Sequence, residues 1–139
     1  MKVILDTNFL IYCAKEKLDY FEEINNLLNE NFELFVPEQV IEELKTVSKK
    51  REKIPVEKRK PKYRKTTGKD RAAAELALKL LEVNKIKKIK ASGKTVDEAI
   101  INLARESKKN IVCTLDREMR KILGRVILIS RGKKLILTK

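Results

Sequence analysis

Short apolar runs alternate along this chain with stretches of helical periodicity, and that alternation limits the fold more than any other feature. Val3-Ile4-Leu5 ends in Asp6-Thr7-Asn8, after which Phe9, Leu10, Ile11 and Tyr12 open a buried helix. Asp19 with Glu22 three residues later marks a second helix start, and Phe21, Ile24, Leu27 and Leu28 recur at helical spacing, so a helix is expected over about 19 to 30. Leu34-Phe35-Val36 reads as a second strand, with Pro37 at the first position of a helix carrying Val40, Ile41, Leu44 and Val47. Ala72 to Val83 favours helix by propensity, and Ile86 to Ile89 is a third strand weakened by its lysines. Thr95-Val96-Asp97-Glu98 has the capping-box form ahead of a helix with Ala99, Ile100, Leu103 and Ala104.

Ile111 to Leu115 is the fourth strand, ending at Asp116, and a short helix through Met119, Ile122 and Leu123 stops at Gly124. Val126 to Ile129 is the fifth, and Leu135-Ile136-Leu137 can add a last strand after an Arg131-Gly132 turn. Strands alternating with helices imply an α/β fold with a parallel sheet, helices on both faces and right-handed crossovers. A length of 139 residues suits one domain.

The chain contains no histidine. That absence removes the Ser-His-Asp triad, imidazole acid-base hydrolysis and every His-ligated metal site. Cys13 and Cys113 stand far apart without CxxC spacing, so both are expected as core thiols in a reducing compartment. The N-terminus meets Asp6 after three apolar residues and no run is long enough to span a bilayer, which makes the cytoplasm the expected location, with no membrane partner. Gly93-Lys94-Thr95 imitates the end of a P-loop, but Lys88 occupies the place of the required earlier glycine.

A net charge of +13 points to polyanionic partners, nucleic acid first. Most of it lies between Lys49 and Arg71, where twelve lysines and arginines face three acids, a net +9. Such a block is either a solvated, disordered loop or a basic arm that folds onto RNA, with Lys58, Arg59, Lys60, Lys62, Arg64 and Lys65 as backbone contacts and Tyr63 as a stacking residue.

Ligands of open parallel sheets bind beyond the carboxyl ends of the strands, and Asp6 and Asp116 each follow an apolar strand. Either aspartate alone is equally well explained as a helix cap. On a helical wheel with Val40 at zero, Glu43 falls at about 300°, beside the apolar stripe, whereas Glu42 at about 200° points to solvent. The same construction from Val96 sets Asp97 near about 100°, at the core border, and Glu98 near about 200°, where it has a capping role. Asp97 is also explained as an acid favoured by the helix dipole in the first turn. Taken together, Asp6, Glu43, Asp97 and Asp116 form an acidic group that implies raised pKa values or a bound cation, and oxygen-only ligands select Mg²⁺ or Mn²⁺.

These residues resemble the PIN-domain family of metal-dependent ribonucleases. The likeness rests on Val3-Ile4-Leu5-Asp6-Thr7-Asn8, Val40-Ile41-Glu42-Glu43-Leu44, Val96-Asp97-Glu98-Ala99-Ile100 and Ile111-Val112-Cys113-Thr114-Leu115-Asp116-Arg117, in that order. The resemblance implies a single PIN-like domain over residues 1–139, a three-layer α/β/α sandwich around a mostly parallel sheet of about five strands in the order 3-2-1-4-5, and a basic insertion at about 49–71. It also implies Mg²⁺ or Mn²⁺ at Asp6, Glu43, Asp97 and Asp116 as catalytic and metal-binding acids, with Thr7, Asn8 and Thr114 shaping turns or holding water. The implied reaction is hydrolysis of RNA phosphodiester bonds by metal-activated water, in a homodimer. The chain is similar both to PIN endonucleases that process ribosomal RNA, whose partner is a ribosomal precursor particle, and to VapC-type toxins blocked by an antitoxin. The long basic arm inclines the reading towards ribosomal RNA processing. A non-catalytic RNA-binding PIN module and a metal-dependent phosphatase are the rival readings.

Overall fold

The computed structural model describes residues 1–49, 68–130 and 134–138. In chain order the elements are β1 (Lys2–Leu5), α1 (Thr7–Lys15), α2 (Tyr20–Leu28), β2 (Glu33–Pro37), α3 (Glu38–Lys49), α4 (Gly68–Val83), β3 (Lys87–Ile89), α5 (Val96–Arg105), β4 (Ile111–Cys113), α6 (Arg117–Leu123), β5 (Val126–Ile129) and β6 (Leu135–Leu137). The strands form one sheet in the order β3-β2-β1-β4-β5-β6. The first five are mutually parallel, and β6 runs antiparallel to β5.

The fold is therefore a three-layer α/β/α sandwich with a mostly parallel sheet. Val3, Ile4 and Leu5 are all buried, as are Ile111, Val112 and Cys113. Consecutive buried residues on a strand require cover on both faces, which only helices on both sides of the sheet supply. Helix α4 packs on α1 and α3, while α5 lies against β1, β2, β4 and α6. Cys13 and Cys113 are buried free thiols, as their spacing suggests. Burial pushes the Cys13 thiol up to about 12, which leaves it unreactive near neutral pH.

Several element bounds differ from the sequence expectation. Pro37 closes β2, in register with Ile89, and α3 begins at Glu38, so the proline precedes the first helical position instead of filling it. Helix α2 starts after its N-cap Asp19, which accepts from Glu22 N at 3.2 Å, and ends earlier than expected because Asn29 turns left-handed at φ 52°. Strand β4 stops at Cys113, two residues short of the expectation, although Thr114 N still donates to Ile127 O at 3.1 Å. The sheet has six strands instead of five, β6 supplying the sixth. Within the basic stretch, α3 extends to Lys49 and α4 begins at Gly68. The expected RNA contacts Lys58, Arg59, Lys60, Lys62, Tyr63, Arg64 and Lys65, and the Arg131-Gly132 turn, lie outside the described residues.

The lysines that weaken β3 have a physical counterpart in its place at the sheet edge. Lys87 and Lys88 are exposed there, and charged side chains on an edge discourage pairing with another chain.

The segment entering α5 is tied down at each residue. Thr95 Oγ1 accepts from Glu98 N at 3.1 Å, and Glu98 answers by accepting from Lys94 N at 2.9 Å, one residue earlier than the usual capping box. Gly93 has φ +144°, and a Cβ there would stand 2.7 Å from Ala99 N, so no other residue fits against this first turn. Thr95→Ala should lower stability by about 1 kcal/mol in urea denaturation, the usual effect of losing an N-cap oxygen. An unchanged midpoint would show that Glu98 alone secures the helix start.

Candidate active site

The order of the sheet reverses between β1 and β4, and this switch point is where the fold gathers its acids. Leu5 pairs with Cys113, and Asp6 N donates to Cys113 O at 3.1 Å, so the residues following the two strands are neighbours. Asp6 is only 4% exposed. Its Oδ1 accepts from Thr7 N at 2.7 Å as the N-cap of α1, and its Oδ2 accepts from Thr114 Oγ1 at 2.7 Å. Thr114, fully buried, also accepts from Asp116 N at 3.0 Å. One threonine thus aligns both strand-end aspartates.

Asp116 caps α6 through Oδ1, which accepts from Glu118 N at 2.9 Å and Met119 N at 3.4 Å. The capping explanation therefore holds for both aspartates, but it uses one carboxylate oxygen of each. Asp6 is held at its second oxygen from across the sheet, and Asp116 keeps Oδ2 outside the cap.

Burial raises the Asp6 carboxyl to about 6; the bonds from Thr114 and Thr7 oppose the rise, and the charges of Asp97 and Glu43 add to it. The Asp97 carboxyl is raised by partial burial and then by the charge of Asp116. Through these pairings all four sequence-selected acids share one electrostatic neighbourhood. Glu42 points elsewhere, 74% exposed and 3.8 Å from Lys45. Glu43 is the acid that faces Asp6, although it is itself exposed. Asp97 is likewise exposed at the cleft mouth, not at the core border, because the buried face of α5 runs through Ala99, Ile100 and Leu103.

Among the described residues no three acidic or cysteine side chains stand close enough together to hold a metal ion as they are placed. The site joins one buried carboxylate, Asp6, to the exposed Glu43 and Asp97, and is not a closed cage. Its donors are all carboxylate oxygens, the chemistry of a hard divalent cation. A buried carboxylate whose ionisation is opposed by two further acids is the electrostatic situation that a cation relieves. In the same turn Thr7 Oγ1 is buried without a hydrogen-bond partner, an orphan suited to a water or ligand oxygen. Asn8 is exposed at the start of α1.

A family model described as "PIN like domain" matches residues 3–133. The chain belongs to this family. A PIN relative from Methanocaldococcus jannaschii, "Ribonuclease VapC4", is 34% identical over 122 residues, covering 88% of this chain and 82% of the relative. Among solved structures, the PIN domain endonuclease Utp24 superposes with a TM-score of 0.71 at 18% identity, covering 98% of this chain and 90% of that one. VapBC2 from Rickettsia felis, determined with a DNA fragment from its promoter, gives a TM-score of 0.54 at 17% identity, with 92% and 97% covered. At such identities the two structures attest the PIN fold alone.

One positioning residue of this PIN chain was not legible in the sequence. Gln39 Nε2 donates to Ala91 O at 2.7 Å and to Gly93 O at 3.3 Å, fastening the loop that precedes Asp97 to the helix that carries Glu43. Gln39 and Glu43 are one turn apart and share a helix face. Only that spacing hinted at it, and a glutamine one turn before an acid is too common to single out.

Proposed function

We propose that this chain is an endoribonuclease that hydrolyses RNA phosphodiester bonds with the help of Mg²⁺ or Mn²⁺ held by Asp6, Glu43, Asp97 and Asp116. The observation that carries the reading is Asp6: a buried carboxylate at the sheet's switch point, fixed at both oxygens and loaded by two further acids. The ribonuclease name of the archaeal relative supports the substrate class. When bound, the cation would supply charge neutralisation at the phosphate and a water of lowered pKa, the latter in a chain that has no imidazole base.

The chain's own residues do the rest. Thr114 holds the Asp6 carboxylate in one orientation and couples it to the Asp116 backbone. Thr7 N holds the other oxygen, so Asp6 enters the reaction preorganised. Exposed Glu43 and Asp97 line the mouth through which a phosphate arrives.

Labelled single-stranded RNA incubated with Mn²⁺ or Mg²⁺ tests the reading. Cleavage that stops on chelation is expected; cleavage that persists without metal would sink it. Glu43→Gln should slow cleavage about 10- to 100-fold, the range for groups that orient or tune a metal, whereas Glu42→Gln should leave the rate nearly unchanged. Equal losses in the two variants would overturn the choice of Glu43.

A VapC-type toxin with an antitoxin partner is favoured over ribosomal RNA processing by one observation, the VapC name of the 34% identical relative. Growth arrest on expression, relieved by Asp6→Asn, is the outcome this reading requires.

A further inference from the structure

Two grooves carry opposite charge, one that includes Glu43 and one lined by both sequence neighbours of Asp116. On the α3 and α5 side, a groove of about 660 Å³ is lined by Glu38, Glu42 and Glu43, with Lys94 as its cation. On the α6 side, a groove of about 700 Å³ has Arg117, Arg120 and Lys121 as its charged walls and Leu115, Leu128 and Ile129 as apolar lining. Leu115 and Arg117, which line this second groove, are the sequence neighbours of Asp116 on either side.

Arg117, Arg120 and Lys121 stand at i, i+3 and i+4 and therefore share one face of α6. Among the described residues neither arginine has a salt-bridge partner. Lys121 lies 3.6 Å from Glu118, but both are about three-quarters exposed, a pairing weak enough for a phosphate to displace. A ligand that fits carries repeated negative charge with apolar faces between the charges. Single-stranded nucleic acid has that character: phosphates for the cations, ribose and base faces for the leucine and isoleucine side chains.

We infer that RNA reaches the acid cluster from one side, its backbone held in the α6 groove by Arg117, Arg120 and Lys121, and that the acidic α3 and α5 groove repels it. The inference takes RNA as ligand from the reading above. Cleavage then occurs where the strand leaves the basic groove and meets Asp116, Asp97 and Asp6.

The experiment measures binding of a fluorescent single-stranded RNA to the full chain in chelator, across a salt series. Arg117→Gln/Arg120→Gln/Lys121→Gln should reduce the slope of log affinity against log salt by about 2, for three lost phosphate contacts on a single strand. Affinity should fall about ten- to hundredfold near about 0.1 M salt, the difference fading towards about 1 M. Lys79→Gln/Lys85→Gln/Lys88→Gln removes the same charge from exposed positions on α4, the turn after it and β3, and should leave the slope close to that of the wild type. Glu38→Gln/Glu42→Gln should bind RNA as well as the wild type or more tightly.

An unchanged slope in the α6 variant, with an unchanged thermal midpoint showing that it folds, would overturn the inference and leave the groove to another anionic ligand, such as an acidic peptide. Equal slope losses in the α6 and α4 variants would overturn it too, by reducing the effect to net charge. Cleavage by the wild type in Mn²⁺ is scored separately. No cleavage alongside an intact slope effect removes the nuclease reading and keeps the RNA path.

Discussion

Asp6→Asn should reduce RNA cleavage by about 10³-fold, corresponding to about 4 kcal/mol of lost transition-state stabilisation by a metal-held site, and should make the metal-free protein more stable. The two effects have one origin. Burial, with smaller additions from the charges of Asp97 and Glu43, holds the Asp6 carboxyl at about 6 instead of 3.8, so its charge at pH 7 is opposed by its surroundings. That displacement of roughly 2 pH units corresponds to about 3 kcal/mol of native-state destabilisation at pH 7. An amide of the same shape removes the charge and can keep its oxygen on Thr7 N, but its Nδ2 would donate to Thr114 Oγ1, whose own proton then loses its acceptor. The net gain expected is therefore about 1–2 kcal/mol, or roughly 3–8 °C in thermal midpoint. Paired activity and melting measurements check both halves. An inactive variant that is also less stable would show that the Asp6 hydrogen bonds outweigh its charge. A fully active variant would remove Asp6 from the chemistry.

The second large effect is a linkage between pH and metal. A carboxyl whose folded pKa lies above its unfolded value binds more protons in the native state, so its contribution falls as pH rises. For Asp6 the penalty is absent below 3.8, grows from there to about 6, and is complete above that value. The raised carboxyl of Asp97 acts with the same sign. Glu33, lowered by its bond to Lys87, acts with the opposite sign, but it is fully exposed and screened. Because other carboxylates also titrate, the clean observable is the stability difference between Asp6→Asn and wild type, which should widen from pH 4.5 to pH 7.

A cation held at the proposed site would reverse the penalty. At pH 7.5 a saturating divalent cation should stabilise the wild type by about 2–3 kcal/mol at a hundredfold excess over its dissociation constant. At pH 5 the proton on Asp6 competes and the gain should shrink. Equal thermal shifts at both pH values, or an undiminished shift in Asp6→Asn, would place the cation elsewhere.

Local sequence carried much of this site because each acid is announced by its own segment. Asp6 and Asp116 follow apolar runs that can only be buried strands, and 3.6-residue periodicity separated Glu43 from Glu42. Asp97 was selected by the same periodicity but for an inaccurate reason. It lies in the first turn of α5, where the chain has only begun to approach the sheet, and it is exposed at the cleft mouth instead of lying at the core border.

What the sequence determined alone is the inventory and the layers. The absence of histidine excludes imidazole chemistry, the carboxylates at segment boundaries supply the candidate donors, and the apolar central strands require helices on both faces of a parallel sheet. What only the tertiary structure decided is adjacency. Strand β1 lies beside β4, 108 residues on from Asp6 to Thr114, and that pairing lets one threonine hydroxyl hold the aspartate. The same nonlocal packing puts Leu128 and Ile129 of β5 beside the α6 cations to form a groove, and fastens Gln39 to the loop before Asp97. Periodicity reports which face of a segment is buried. It carries no information about which distant segment covers it, because parallel neighbours are joined through crossovers and are chosen by the burial of the whole sheet.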